Sequence, residues 1–192
     1  MIGKVNGKNW ASEIKSLLDQ YGFSYVWESP ESVNLHVFPV LFKQRVLDVF
    51  LQSHNNIIDN ASTLILYKSF KTTYGYEKYL DVLPIRLRIT LSQLRLASHK
   101  LRIETGRYGQ NRTERHQRLC TICNRQDIED EYHLIMICEK YQTLRLKYIK
   151  PYYYRNPSVY KFIELMSSNN TTVLKALSNY VYEALALRKT HI

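Results

Sequence analysis

Apolar residues along this chain recur mostly at three- and four-residue intervals, the period of helices that bury one face. WASEIKSLLDQY follows Asn9, whose side chain can accept from first-turn amides, and Gly22 stands just past Tyr21, where that helix should stop. FSYVWE predicts an extended segment and SPES a turn. PVLFKQRVLDVFLQSHNNI puts Pro39 at a helix start and spaces Leu41, Val46, Leu47, Phe50 and Leu51 for a helix. STLILYKSFK predicts a short third helix and TTYGYEKY a loop. Pro84 opens PIRLRITLSQLRLASH, in which Leu87, Leu91 and Leu94 form the apolar stripe and Arg86, Arg88 and Arg95 lie off it. LRIETGRYGQNRTERHQR predicts extended chain and then loop. CEKYQTLRLKYI, NPSVYKFIELMSS (Asn156 as cap, Pro157 in the first turn) and TTVLKALSNYVYEALALR predict a helical C-terminus. The expected fold is mainly α, a helical bundle-like chain with little strand, in three segments: 1–82, 83–150 and 151–192.

Composition changes this picture little, and charge changes it more. The 192 residues are 45% hydrophobic and include 16 tyrosines, enough for one core or two small ones and unlike a disordered chain. Tyr152, Tyr153 and Tyr154 follow Pro151 between two predicted helices; packing and base stacking are both open to them. The opening MIGKVNGKNW lacks the apolar run of a secretory leader, and no stretch approaches a membrane span. The expectation is a soluble intracellular protein, nuclear or cytoplasmic, with no membrane partner. Sequons at Asn60, Asn111, Asn169 and Asn170 then read as accidental. Net charge is +10, and residues 86–125 hold ten Lys+Arg against two acids, so most of the excess sits in one segment.

That segment abuts all three cysteines. Cys120 and Cys123 form a Cys-x2-Cys turn, His133 comes next, and Cys138 closes the group. Zinc takes four tetrahedral N or S ligands, and such a turn lets two thiolates meet one ion while backbone amides face the sulfurs. His133 and Cys138 are five apart, about 140° around an ideal helix. Both can meet one ion only if the helix breaks or tightens between them, and Cys138 itself is the place for a break. Three sulfurs and one imidazole leave no position for activated water, which points to one structural Zn2+. Three buried free thiols with a surface histidine is the competing reading; an odd count in a reducing compartment disfavours disulfides. Asp127, Glu129, Asp130 and Glu131 read as solvated loop, with one carboxylate available to orient His133.

LSQLRLASHKLRIETGRY, continuing after a gap into RLCTICNRQDIEDEYHLIMICEKYQTLR, resembles the C-terminal region of non-LTR retrotransposon endonuclease/reverse transcriptases. The matching pattern is Arg95-x3-His99, then Ile103, Glu104, Gly106, Arg107 and Tyr108, then the Cys-Cys-His-Cys motif approached through Glu-Asp-Glu-Tyr-His. The likeness is strongest over 83–145. It implies that 1–82 is a helical segment located after a polymerase, that 83–150 is a zinc module, and that this part helps hold element RNA or target DNA. The polymerase body of a longer polyprotein is then a possible partner. No catalytic role is implied. The chain has no Asp-Asp pair for a polymerase palm, no GxxxxGK[ST], GxSxG or HExxH, and no Pro-Asp of a restriction-type nuclease. An enzyme is not expected.

Two functions remain open. The first is a nucleic-acid-binding module, RNA or DNA, in which Arg86, Arg88, Lys100, Arg102, Arg107, Arg112, Arg115, Arg118 and Arg125 meet phosphates and Tyr108 and His116 stack. The second is a structural or protein-interaction scaffold. Arg95, His99 and Glu104 are expected to form a buried hydrogen-bonded cluster fixing the helix against the next segment.

Overall fold

The computed structural model describes residues 9–110 and 112–190; expectations resting on residues 1–8 and on Asn111 lie outside them. The contact pattern divides the chain into a unit ending at Ile58 and a unit beginning at Asp59. Residues 59–82, grouped with the N-terminal segment on sequence, thus belong to the second unit, as do residues 151–192.

In the first unit, Asn9 Oδ1 accepts the Ser12 amide at 2.8 Å and starts helix α1, Trp10–Gln20. The helix ends in a Schellman motif. Gly22, at φ +78°, lets the Phe23 amide reach Leu18 O at 2.7 Å and the Gly22 amide reach Asp19 O. The same turn buries Leu18 and Phe23, and Phe23 meets the rings of Phe38 and Phe42 edge-on at 5.6 and 5.5 Å. Phe23 leads straight into helix α2, Ser24–Glu28, so the expected extended segment is a short helix. Its β-favouring residues express only a weak local preference, which packing at Phe23 overrides. Pro30–Ser32 forms a 3-10 turn, and α3 spans Phe38–Asn60 with none of its residues buried. The spacing that predicted α3 therefore located a helix but not a core face.

The second unit contains α4 (Ile65–Phe70), α5 (Tyr79–Val82), α6 (Ile85–Arg95), α7 (Arg102–Thr105), α8 (Gln142–Tyr148), α9 (Pro151–Tyr154), α10 (Val159–Ser167) and α11 (Thr171–Lys189). The molecule is mainly α, as its periodicity implies, and an isolated bridge joins Leu119 to Ile128. Asn170 caps α11 through the Thr172 and Val173 amides. In α10, Ser158 and not Asn156 is the cap: its hydroxyl accepts the Lys161 amide, and Pro157 stands outside the helix. Helix α11 packs on α6, α8 and α5, while α10 packs on α4 and α9. Leu87, Leu91 and Leu94 are buried with Leu177, Tyr180, Val181 and Ala184 in one apolar cluster. Among the described residues, no helix is long and apolar enough to cross a membrane.

Several charges lie inside this core. Arg95, four residues after Leu91, shares its face and is only 3% exposed. Its guanidinium donates to Glu77 Oε2 at 2.8 Å and to Met166 O, and lies over the Phe70 and Tyr79 rings. Burial lowers its pKa, against the pull of Glu77. Glu129 is 1% exposed and takes Arg188 Nε and Nη2 at 2.6 and 2.7 Å. Its Oε2 also accepts the Arg102 amide, and its backbone oxygen accepts the Ile103 amide. These bonds wind residues 102–105 into α7 where extended chain is expected.

An ion pair broken in the interior costs far more than one broken at the surface. Arg188→Ala should therefore lower stability in urea unfolding by about 3–5 kcal/mol, because Glu129 is left charged and unpaired. Lys147→Ala, which removes a surface pair with Glu183, should change the midpoint little. Equal losses in the two variants would deny Glu129 its central place.

Candidate metal centre and its basic surroundings

The Leu119–Ile128 bridge closes a loop whose ends are tied by the Cys120 amide on Asp127 O at 2.8 Å and the Glu129 amide on Arg118 O at 2.9 Å. Inside it, the Ile122 and Cys123 amides face Cys120, and the Arg125 amide faces Cys123. The Lys140 amide faces Cys138. All three sulfurs thus receive backbone N–H groups, which favour thiolate over thiol.

The second pair of donors arrives by a different device. Residues His133–Ile137 form a π-helical turn, and the Cys138 amide donates to His133 O at 2.8 Å, five residues back. A turn that closes over five residues returns residue i+5 to the side of residue i. The helix therefore widens between His133 and Cys138, where a break or tightening is expected, and the chain leaves helical geometry at Cys138 itself. Sulfur and nitrogen donors of Cys120, Cys123, His133 and Cys138 all lie within 4.8 Å of one another and are buried. Cys123 Sγ is 3.4 Å from His133 Nε2.

Of the acidic run expected to be solvated loop, Glu129 and Glu131 are buried, Asp130 is half-buried, and Asp127 stays partly exposed. Asp130 Oδ1 accepts the His133 amide at 2.8 Å and fixes the start of the widened turn. Burial pushes the Asp130 pKa up, against that bond. Glu131 is buried and holds His99 Nε2 at 2.8 Å. Asp127 Oδ2 lies 3.7 Å from His133 Nδ1, on the ring edge away from the sulfurs. The opened turn also frees carbonyls that the sequence pattern did not provide for. Tyr180 Oη donates to Leu134 O, while buried Arg145 donates to Ile135 O and Cys138 O at 2.8 and 2.7 Å. Arg145 sits in a Thr-Leu-Arg-Leu-Lys run that carries no motif, so only the geometry identifies it.

The thiols are unequal. Hydrogen bonding from Cys138 pulls Cys120 down to about 3, helped by His133 and two amides and opposed by burial. The same Cys120 contact pushes Cys138 up, and burial raises Cys123. Thiolates are the ligand form of cysteine, so seating a cation among these sulfurs displaces thiol protons.

The residues expected to meet nucleic acid differ in exposure. Arg86, Lys100, Tyr108, Arg112, Arg115 and His116 face solvent, Tyr108 at 67%. Arg88, Arg102 and Arg107 are half-buried, and Arg125 is exposed but paired with Asp127 at 2.9 Å. Arg88 Nη2 donates to Leu83 O, and Arg107 Nε to Glu104. Arg118 corrects expectation: it is buried, and its three nitrogens donate to Thr113 O and Ile103 O, so it is a brace and not a phosphate contact. Gly106 makes room for it, since a Cβ there would stand 2.9 Å from Arg118 Cδ. Arg95, His99 and Glu104 are all buried but do not form one cluster; they pair separately with Glu77, Glu131 and Arg107. In the tyrosine run Tyr153 is buried, while Tyr152 is exposed and donates to Glu164.

Fold and site together define a mainly helical protein with a buried three-cysteine, one-histidine group able to hold a metal ion. No protein-family profile, curated protein or solved structure matches the chain.

Cys120→Ser and Cys138→Ser should each abolish stoichiometric metal in the purified protein, measured by elemental analysis. Asp127→Ala should retain stoichiometric metal in the same measurement, since Asp127 stands 3.7 Å from His133 Nδ1 and is not one of the four donors. Full metal in both serine variants would show that the ligand set is different.

Proposed function

We propose that the four-donor group binds one structural Zn2+ and that the protein is a non-catalytic nucleic-acid-binding module. The donor set supports the metal. Zinc with Zn–S bonds of about 2.3 Å and tetrahedral angles places its sulfurs about 3.8 Å apart and an imidazole nitrogen about 3.5 Å from sulfur. The cluster's 4.8 Å envelope and its 3.4 Å S–N distance suit that ion after small adjustment. Cys120, Cys123, Cys138 and His133 Nε2 would hold it. What the ion supplies is local folding energy, roughly 10–16 kcal/mol in small zinc modules. Four protein ligands fill the sphere, which fits a structural role and not hydrolysis.

The observation that carries the nucleic-acid reading is the sorting of charge. The cations turned inward, Arg95, Arg118, Arg145 and Arg188, are consumed by carbonyls and carboxylates. Arg86, Lys100 and Arg112 remain turned outward. Such a surface attracts a polyanion whose counterions it displaces. This is the role implied by the likeness to retrotransposon reverse transcriptases, whether the ligand is RNA or DNA. A second reading, an interaction scaffold for a polymerase body or another protein, is favoured by α3, where Val40, Leu41, Leu47 and Phe50 are exposed.

Zinc-loaded protein should bind labelled single-stranded RNA or duplex DNA with affinity falling roughly 10³–10⁵-fold between 50 and 200 mM salt, as expected if 6–10 phosphates are engaged. Absence of binding at low salt would remove the nucleic-acid reading and leave the scaffold.

A further inference from the structure

Of the outward cations, Lys100 stands where two clefts meet, and Arg102 and Lys189 line those clefts with it. One cleft, of about 390 Å³, is walled by Lys100, Arg102, Thr105, Thr113 and Thr121. The other, of about 500 Å³, includes Lys100, Thr90, Ser98, Tyr182 and Lys189. Lys100 and Arg188 belong to both, so the clefts adjoin. Neither contains an aspartate or glutamate in its walls. Behind the clefts Glu129 is paired with Arg188, and Glu131 is hydrogen-bonded to His99, a residue that lines the larger cleft. The contrast is the cavity beside α10, where Arg107 and Arg115 face Glu104, Asp130 and Glu131 and no net attraction for an anion remains.

Resting on the nucleic-acid reading above, we propose that this acid-free pair of clefts, between the α6–α7 connection and the C-terminal end of α11, carries one single nucleic-acid strand. Its phosphates lie against Lys100, Arg102 and Lys189. Within the described residues, none of these three side chains is paired with a carboxylate. Threonine and serine hydroxyls line the walls between them and supply neutral donors to phosphate and sugar oxygens. Arg86 lies over the Tyr182 ring at 5.0 Å, a cation held ready at the rim of the larger cleft. A concave basic groove of this kind tracks the backbone of a strand without reading its bases. A duplex, whose phosphates lie on a broad convex surface, does not enter it. The site adds Tyr182 and Lys189 from the last helix, a part of the chain with little excess charge in sequence; the fold assembles the charge.

The test uses the full zinc-loaded chain with labelled oligouridylate, oligothymidylate and a random duplex across a salt series. Removing two phosphate contacts from a single-strand complex lowers the slope of log affinity against log salt by about 1.4. Lys100→Gln/Lys189→Gln should show that loss with both single strands, with metal content and urea midpoint unchanged. Lys100→Arg/Lys189→Arg should keep the wild-type slope, and Arg112→Gln/Arg115→Gln should change it less than the cleft pair does. A preference for the RNA or the DNA strand identifies the source of the phosphates, and either one supports the cleft. Wild-type slope in the Gln cleft variant, or tighter binding of duplex than of single strand, overturns the cleft while leaving the broader reading in place. No binding of any probe by the wild-type chain overturns both.

Discussion

One backbone hydrogen bond organises the second unit: the Cys138 amide on His133 O, closing a turn one residue wider than an α-helical one. An ordinary helix would turn Cys138 well away from His133. The widened turn puts both beside Cys120 and Cys123, but it also leaves buried carbonyls without helical partners, which the interior does not tolerate. Arg145 on α8 and Tyr180 on α11 take them up. The donor cluster is therefore fastened to the helical core by the very groups its irregular turn requires.

Charge is divided between structure and surface in a way a net count conceals. Glu129 bonds to Arg188, to the amide of Arg102 and, through its backbone, to Ile103 and Arg118. It thereby joins the last helix, α7 and the loop that carries Cys120 and Cys123. Arg118 and Arg95 are likewise internal. Subtracting these leaves a smaller set of cations, and their placement, not their number, sets where a polyanion can lie.

Much of the helical framework was legible in the sequence because its signals are local. Asn9 and Gly22 bracket α1, Pro84 precedes α6, and the Leu87, Leu91 and Leu94 spacing marks a face that is buried. The four cluster residues stood out through their spacing for the same reason. What escaped was decided at long range. FSYVWE folds as a helix because Phe23 finds Phe38 and Phe42, and LRIET turns because Glu129 caps it from 27 residues away. The acidic run looked solvated because hydrophilic residues usually are; Glu129 and Glu131 are buried by partners, Arg188 and His99, that sequence order hides. Whether a given arginine is a brace or a contact depends on which carbonyls the fold leaves open nearby, and no one-dimensional pattern carries that.

If the proposed function holds, the metal and the basic clefts form one device. The ion fixes the 120–138 segment, Glu129 in that segment holds α7 and α11, and these two elements, with the α6–α7 connection, line the clefts. The most direct measurement is the affinity for single-stranded RNA, at fixed low salt, as zinc is titrated into metal-free protein. Affinity should rise with zinc and level off at one equivalent. An affinity equally high before any zinc is added would contradict the coupling, for the clefts would then exist without the centre said to hold them.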